Sequence, residues 1–376
     1  MSTGKQKHKG ISKNTSDSGK IAADKLGGAD QMQPGFFDQE DRLAKLEKLG
    51  DPLPRLDSIV DWQAFRPLLK AIHQKQRKNN AGRKPHDVTL MFKMLVLQSL
   101  YNLSDDQAEF QVRDRLSFQR FLGLSPEDTV PDAKTLWLFR ERLARHGLIE
   151  KLFQRFDEQL WHSGLMPRGG QIIDASLVNV PKNRNTRDEN KQIKEGKTPE
   201  GWDDKPNMKR QKDEDARWTK KHGKSYYGYK NHINIDKTHK LIRRYAVTDA
   251  SVHDSQVFDD VLDEENSDRA VWADSAYRSE AREEQLREKG YESRIHRKGS
   301  KYRALNKREQ ETNHRRSKVR ARVEHVFGDQ RTRQGSMLVR SKGKIRAAVK
   351  IGLMNLTYNM RRLEFLLRPQ SACCSG

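Results

Sequence analysis

Three acids stand apart by position. Asp174 closes the apolar run Gly169-Gly170-Gln171-Ile172-Ile173, Asp274 closes Arg269-Ala270-Val271-Trp272-Ala273, and Glu324 lies beside a helical stripe of Val319, Val323, Val326 and Phe327. Short apolar runs rich in β-branched residues, the first entered from a Gly-Gly turn, predict two buried strands that each end in a carboxylate. An ionised carboxylate left unpaired at such a place is costly, so it needs a cation. Parallel neighbouring strands would bring the two aspartates together, and a helix crossing the sheet could deliver the glutamate. Carboxylates at close range repel unless hard cations lie between them, and Mg²⁺ takes one or two carboxylates plus waters and phosphate oxygens. Two such ions, ~3.5–4 Å apart, suit in-line phosphoryl transfer. The competing reading is plain: an aspartate at a strand end is as often a turn or capping residue.

The charge balance points to the substrate side of that chemistry. In 376 residues, 74 Lys+Arg face 52 Asp+Glu, a formal excess of +22, for which a polyanion is the natural partner. Arg297 to Lys350, the stretch that contains Glu324, holds 18 basic against 4 acidic residues. Candidate DNA-contacting cations are Arg320, one turn before Glu324, with Arg331, Arg333, Lys224, Lys230 and Arg140. Trp218, Tyr226 and Tyr227 alternate with lysines and could stack on an unpaired base, although core packing suits at least two of them better. No apolar run approaches the ~20 residues of a membrane span. The start Met1-Ser-Thr-Gly-Lys-Gln-Lys-His lacks a secretory apolar core, so cytoplasm or nucleoid is expected. Cys373 and Cys374 are adjacent, without nearby histidines, and imply neither a disulfide framework nor a zinc site.

The elements that must position these groups follow from periodicity. Residues 1–34 are too polar to bury a core and are expected to be a disordered arm. Residues 35–166 read as a helical domain. Within it Asp87 caps a helix through Val88, Met91, Phe92 and Leu95, Ser104 with Gln107 forms a capping box, and Gly123 closes a third helix begun at Ser117. A long amphipathic pattern from Asp132 to Leu160, broken at His146-Gly147, carries Arg140 on its polar side, where a helix-turn-helix would place a recognition helix. Residues 167–368 read as a mixed α/β domain, and 369–376 as a tail. Inside that domain, 181–222 loses periodicity and is expected to be a mobile basic insertion. Lys224–Asp236 and Leu241–Thr248 form a hairpin, Asp254 is placed to cap the helix that follows, and a helix from Glu280 is closed by Gly290. A final apolar helix from Ile345 to Leu366 should pack on the sheet.

The stretches Ile173-Asp174-Ala175-Ser176, Tyr227-Gly-Tyr-Lys-Asn-His232, Val252-His-Asp254, Ala273-Asp-Ser-Ala-Tyr277 and Arg320-Ala-Arg-Val-Glu-His-Val-Phe-Gly328 resemble the catalytic domain of DDE transposases of the insertion sequence 5 group, in the insertion sequence 4 superfamily. Phe92–Leu97 through Thr135–Arg140 resembles the helical N-terminal domain of the same group. The resemblance implies a helical domain followed by an RNase H-like mixed sheet, with Asp174, Asp274 and Glu324 as the triad. It implies Mg²⁺, or Mn²⁺ in its place, two ions per site. It further implies DNA partners, namely terminal inverted repeats and target, and a homodimer in the DNA complex. Of the superfamily's Tyr, Arg, Glu, Lys signature, Arg320 and Glu324 match, while Ser317 stands at the tyrosine position and Arg331 at the lysine position. The alternatives are an element-derived repressor without catalysis and a metal nuclease that hydrolyses but never joins.

Overall fold

The computed structural model describes residues 38–73, 84–125, 127–181, 183–221, 223–299, 302–333 and 338–368. The expected arm at 1–34 and tail at 369–376 lie outside the described residues. The first helix is α1 (Asp38–Lys48). It is followed by α2 (Leu53–Ile59), α3 (Arg66–Lys70), α4 (Val88–Leu100), α5 (Asp105–Asp114), α6 (Leu116–Leu122), α7 (Ala133–Arg145) and α8 (Leu148–His162). The caps read from sequence are in place. Asp87 Oδ1 accepts from the Thr89 and Leu90 amides, and Ser104 and Gln107 satisfy each other's backbone. Gly123 ends α6 at φ +70°, and α7 and α8 divide at His146-Gly147. Buried nearly all round, α4 is the axis of this helical part.

The chain then enters β1 (Gln171–Asn179) and continues through α9 (Arg187–Lys194), α10 (Pro206–Lys209), β2 (Arg217–Lys221), β3 (Lys224–Asp236) and β4 (Ile242–Asp249). After α11 (Phe258–Val261) come β5 (Ala270–Trp272), α12 (Glu280–Glu288), β6 (Glu292–Ser293), α13 (Lys307–Arg320), α14 (Arg322–Arg333) and α15 (Lys344–Leu366). In the sheet, β3 is antiparallel to β1, β2 and β4, while β1, β5 and β6 run parallel in that order. Three antiparallel strands leading into parallel ones, with helices alongside, is the RNase H-like arrangement. Helix α15 packs on the sheet through β3 and β4, as its apolar pattern predicts, and on α2, α4, α7 and α8 as well. The helical part and the sheet therefore share it as a common core element.

Three local expectations are corrected. Asp174 does not end its strand; β1 runs on for five residues, because β3 pairs with it as far as Asn179. The stretch expected to lack regular structure carries α9, α10 and β2 around Trp202, which is 1% exposed and donates its indole N–H to Glu189 at 2.8 Å. Asp213 braces that segment by accepting from the Tyr229 hydroxyl and from the Ala216 amide. The cap expected at Asp254 is taken by His253, whose Nδ1 accepts from the Ser255 amide, while Asp254 pairs with Lys230.

Candidate active site

Strand register sets the two aspartates level. In the parallel β1–β5 pair, Gln171 faces Val271 and Ile172 faces Trp272. The same offset carried two residues onward aligns Asp174 with Asp274. Past Trp272 strand β5 stops while β1 continues to Asn179. Gly170 permits the approach: its φ is +89°, and a Cβ there would lie 2.4 Å from the Trp272 ring and 2.6 Å from the Ala270 carbonyl oxygen.

Asp174 is 8% exposed. Its Oδ1 accepts from the Ala175 amide at 2.8 Å and its Oδ2 from Arg320 Nη1 at 2.6 Å. Burial pushes its pKa up to about 6, with the charge of Asp274 adding to the rise and Arg320, the Ala175 amide and Lys221 opposing it. Half-exposed Asp274 caps the turn at Ser275–Tyr277, with Oδ1 accepting from the Ala276 amide at 2.7 Å. Two carboxylates within each other's field, one of them held toward its neutral form by burial, are a donor set that suits a hard divalent cation. Around them lie groups that sequence reasoning passed over. His296 follows β6, donates its amide to the Ala273 carbonyl at 3.1 Å, and has its pKa lowered by burial and by Arg320. Tyr277 is 1% exposed, its hydroxyl has no hydrogen-bond partner among the described residues, and its pKa is raised by burial and by the charges of Asp174, Asp254 and Asp274. The signal for His296 is its place at the end of a strand parallel to β5, legible only once the strand order is known.

Glu324 stands elsewhere. The helical stripe from Val319 to Phe327 is divided at Ala321, so Arg320 ends α13 and Glu324 lies in the first turn of α14. Across that division Arg320, one turn before Glu324 in sequence, pairs with Asp174 instead. Glu324 is exposed and lines a cleft with Leu56, His325, Tyr358 and Arg362. Among the described residues, no three His, Cys, Asp or Glu side chains group as metal ligands. The aspartate pair is assembled; the third carboxylate is not beside it.

The basic candidates divide in the same way. Lys224 and Arg331 are exposed, and Arg333 is exposed with its Nε 3.5 Å from Asp329. Lys230 donates to the Val252 carbonyl at 2.7 Å and to Asp254 at 2.8 Å, so it fastens a loop. Arg140 turns inward: both arms of its guanidinium hold Asp105, at 2.6 and 2.8 Å, and one also reaches Gln98. A planar fork matched to a carboxylate is satisfied internally. The recognition-helix reading of Arg140 is corrected on that ground. Of the aromatics, Tyr227 is fully buried and packs on half-buried Trp218, with ring centroids 5.0 Å apart.

Two known families match the chain. Residues 166–360 match the family described as Transposase DDE domain, and residues 41–142 match a second family described as Transposase domain. Among solved structures, the chain is similar to a piggyBac transposase in a synaptic complex with hairpin DNA. That likeness has 13% identity and a TM-score of 0.42, and covers 84% of this chain and 75% of the other. No helix among the described residues is long and apolar enough to cross a membrane.

Proposed function

This chain belongs to the transposase DDE domain family, and we propose that Asp174, Asp274 and Glu324 carry its DNA cleavage and strand transfer, with the two aspartates as the fixed half of the site. The observation that supports this most directly is the β1–β5 register, which sets Asp174 level with Asp274 at the end of β5. As a DDE-type transposase the protein acts on DNA with a divalent metal. The finer reading is Mg²⁺, replaceable by Mn²⁺, two ions per site, an element of the insertion sequence 5 group, and a homodimer holding both inverted-repeat ends. Protein resident with the chromosome in the nucleoid follows from the same reading.

Bound between the carboxylates, the cations would activate the attacking oxygen and stabilise the leaving one. The chain's own groups do the rest. Asp174 and Asp274 each have one oxygen fixed by a neighbouring backbone amide, which orients both carboxylates before any ligand arrives. Arg320 supplies positive charge to Asp174 and, once a cation takes that role, is free for a backbone phosphate. Glu324 lies four residues on, and its reach to the pair depends on the joint at Ala321. Lys221 lends its charge to the same site from the end of β2.

The test incubates the purified protein with DNA carrying its element's inverted repeats, with Mg²⁺, Mn²⁺ or Ca²⁺, beside Asp174→Ala. Metal-dependent end cleavage and joining, both lost in Asp174→Ala, are expected. Cleavage without joining would identify a nuclease. Salt-sensitive DNA binding without any cleavage would identify a repressor.

A further inference from the structure

Two of the clefts among the described residues treat their cations differently. The larger of the two, about 1420 Å³, lies between α2, α14 and α15, and three of its arginines are ion-paired, Arg361 and Arg333 with Asp329 and Arg368 with Glu364, while Arg362 donates to the His239 carbonyl. The smaller, about 390 Å³, lies between α9 and β2. Arg187, Lys191 and Lys194 follow the i, i+4, i+7 stripe of α9 along one wall, and Arg217 and Lys220 come from β2. None of these five is in an ion pair with an acid among the described residues. A second, independent feature points the same way. Asn190 lines this cleft, is 6% exposed, and its amide Nδ2 has no hydrogen-bond partner among the described residues, although its Oδ1 accepts from Asn185, whose own Oδ1 is likewise unpartnered among them. An unsatisfied buried donor is costly to keep, and a site that requires an acceptor explains its retention.

We propose that the α9–β2 cleft grips the phosphate backbone of DNA, an inference that rests on the transposase reading of the aspartate pair. Five unneutralised cations and a spare amide donor match phosphate oxygens, which accept without donating. Trp218 lines the cleft with its indole N–H given to the Asn185 carbonyl at 2.7 Å and the Arg184 guanidinium over its ring, so it supplies no free donor. The grip is continuous with the chemistry. Strand β2 ends at Lys221, whose charge acts on Asp174. Gly228, at φ +152° and with room for no Cβ against the Val178 carbonyl oxygen 2.2 Å away, lets β3 pass tightly over β1 where it leaves the β2 pairing.

The experiment measures binding of full-length protein to a short duplex of arbitrary sequence over a salt series in EDTA, so that no catalysis enters. Arg187→Ala with Lys191→Ala and Lys194→Ala should raise Kd roughly 10-fold at low salt and flatten the log–log salt slope by about 2–3. A charge-matched control, Lys134→Ala with Lys151→Ala and Lys289→Ala, should change the slope by less than about 1. Asn190→Ala should weaken binding by about 3–10-fold with the slope unchanged, as loss of a neutral donor to a charged acceptor predicts. Equal effects of the cleft and control sets, with melting temperatures intact, would overturn the proposal. If the triple variant melts early, the single exchange Lys194→Glu is read instead, and an unchanged salt slope there overturns it. Failure of the wild type to cleave DNA with metal would sink the transposase reading and leave the binding result standing; an unchanged slope sinks the cleft alone.

Discussion

The β1–β5 pair brings two of the proposed catalytic carboxylates level with each other, whereas the α13–α14 joint leaves the third exposed and apart from them. On the sheet, pairing partners and backbone amides fix where Asp174 and Asp274 point. At the joint, Glu324 is exposed in the first turn of a helix that starts one residue after another ends. The opposite face of α14 is anchored from its first turn on: Val323, Val326 and Phe327 are buried, and Gln330 donates to Asn355, which exchanges two amide hydrogen bonds with Asn231 of β3. The difference teaches that Asp174 and Asp274 take their orientation from strand register and backbone amides, whereas Glu324 projects from the exposed face of a helix whose other face is buried. Arg320 serves as the cation of Asp174.

The largest test of that contrast is Asp274→Ala, expected to lower end cleavage by about 10³-fold or more, as loss of a metal ligand does in a phosphoryl-transfer site. Retained activity would remove the sheet from the chemistry. Glu324→Gln is expected to cost about 10²-fold in the metal-loaded DNA complex while leaving the metal-free fold unchanged. An effect within twofold would leave the glutamate where the structure has it, outside the site. Asn355→Leu strands the amides of Asn231 and Gln330 and should lower unfolding free energy by about 2–4 kcal/mol in a denaturant titration, because buried polar groups lose their partners. If stability is kept, the anchored face of α14 is held by its apolar residues alone.

A smaller effect reads the buried charge itself. The pKa of Asp174 is raised to about 6 in the folded chain from an ordinary value of 3.8, so the folded state binds the proton more tightly. Stability from that proton is present below about pH 4 and lost as pH rises through 6, by up to about 3 kcal/mol. In EDTA, Asp174→Asn should therefore melt higher than wild type above pH 6, with the gain fading toward pH 4. A pH-independent difference would contradict the burial. Last, Arg140→Ala should cost about 1.5–3 kcal/mol of stability, as for a hydrogen-bonded charged pair, with DNA affinity unchanged at equal salt. A weakened salt slope instead would restore Arg140 to the DNA surface.

Much of the scaffold was legible because its signals are local. Caps at Asp87 and Ser104, the closing Gly123, the split at His146-Gly147 and the β3–β4 hairpin depend on residues a few positions apart, and the structure keeps them. The aspartate pair was legible for a related reason, since two apolar runs that reach carboxylates need only parallel pairing to bring them together. Strand β2 was not, because Arg217–Lys221 has four polar residues and becomes a strand only by pairing with the first residues of β3. Asp174 looked terminal because apolar character falls after it, yet β3 carries the strand on to Asn179.

Composition and order in the chain were enough to establish a basic, nucleic-acid-directed protein with two strand-borne aspartates and a glutamate in its most basic stretch. Which charges are free was decided in three dimensions. Arg140 and Lys230 are cations of the same kind as Arg187 and Lys191, but the first two meet Asp105 and Asp254 across the fold and the others meet no acid among the described residues. A formal charge is a property of the residue. Its availability to DNA depends on whether an opposite charge lies within a few ångströms, and only packing brings together groups 24 or 35 residues apart.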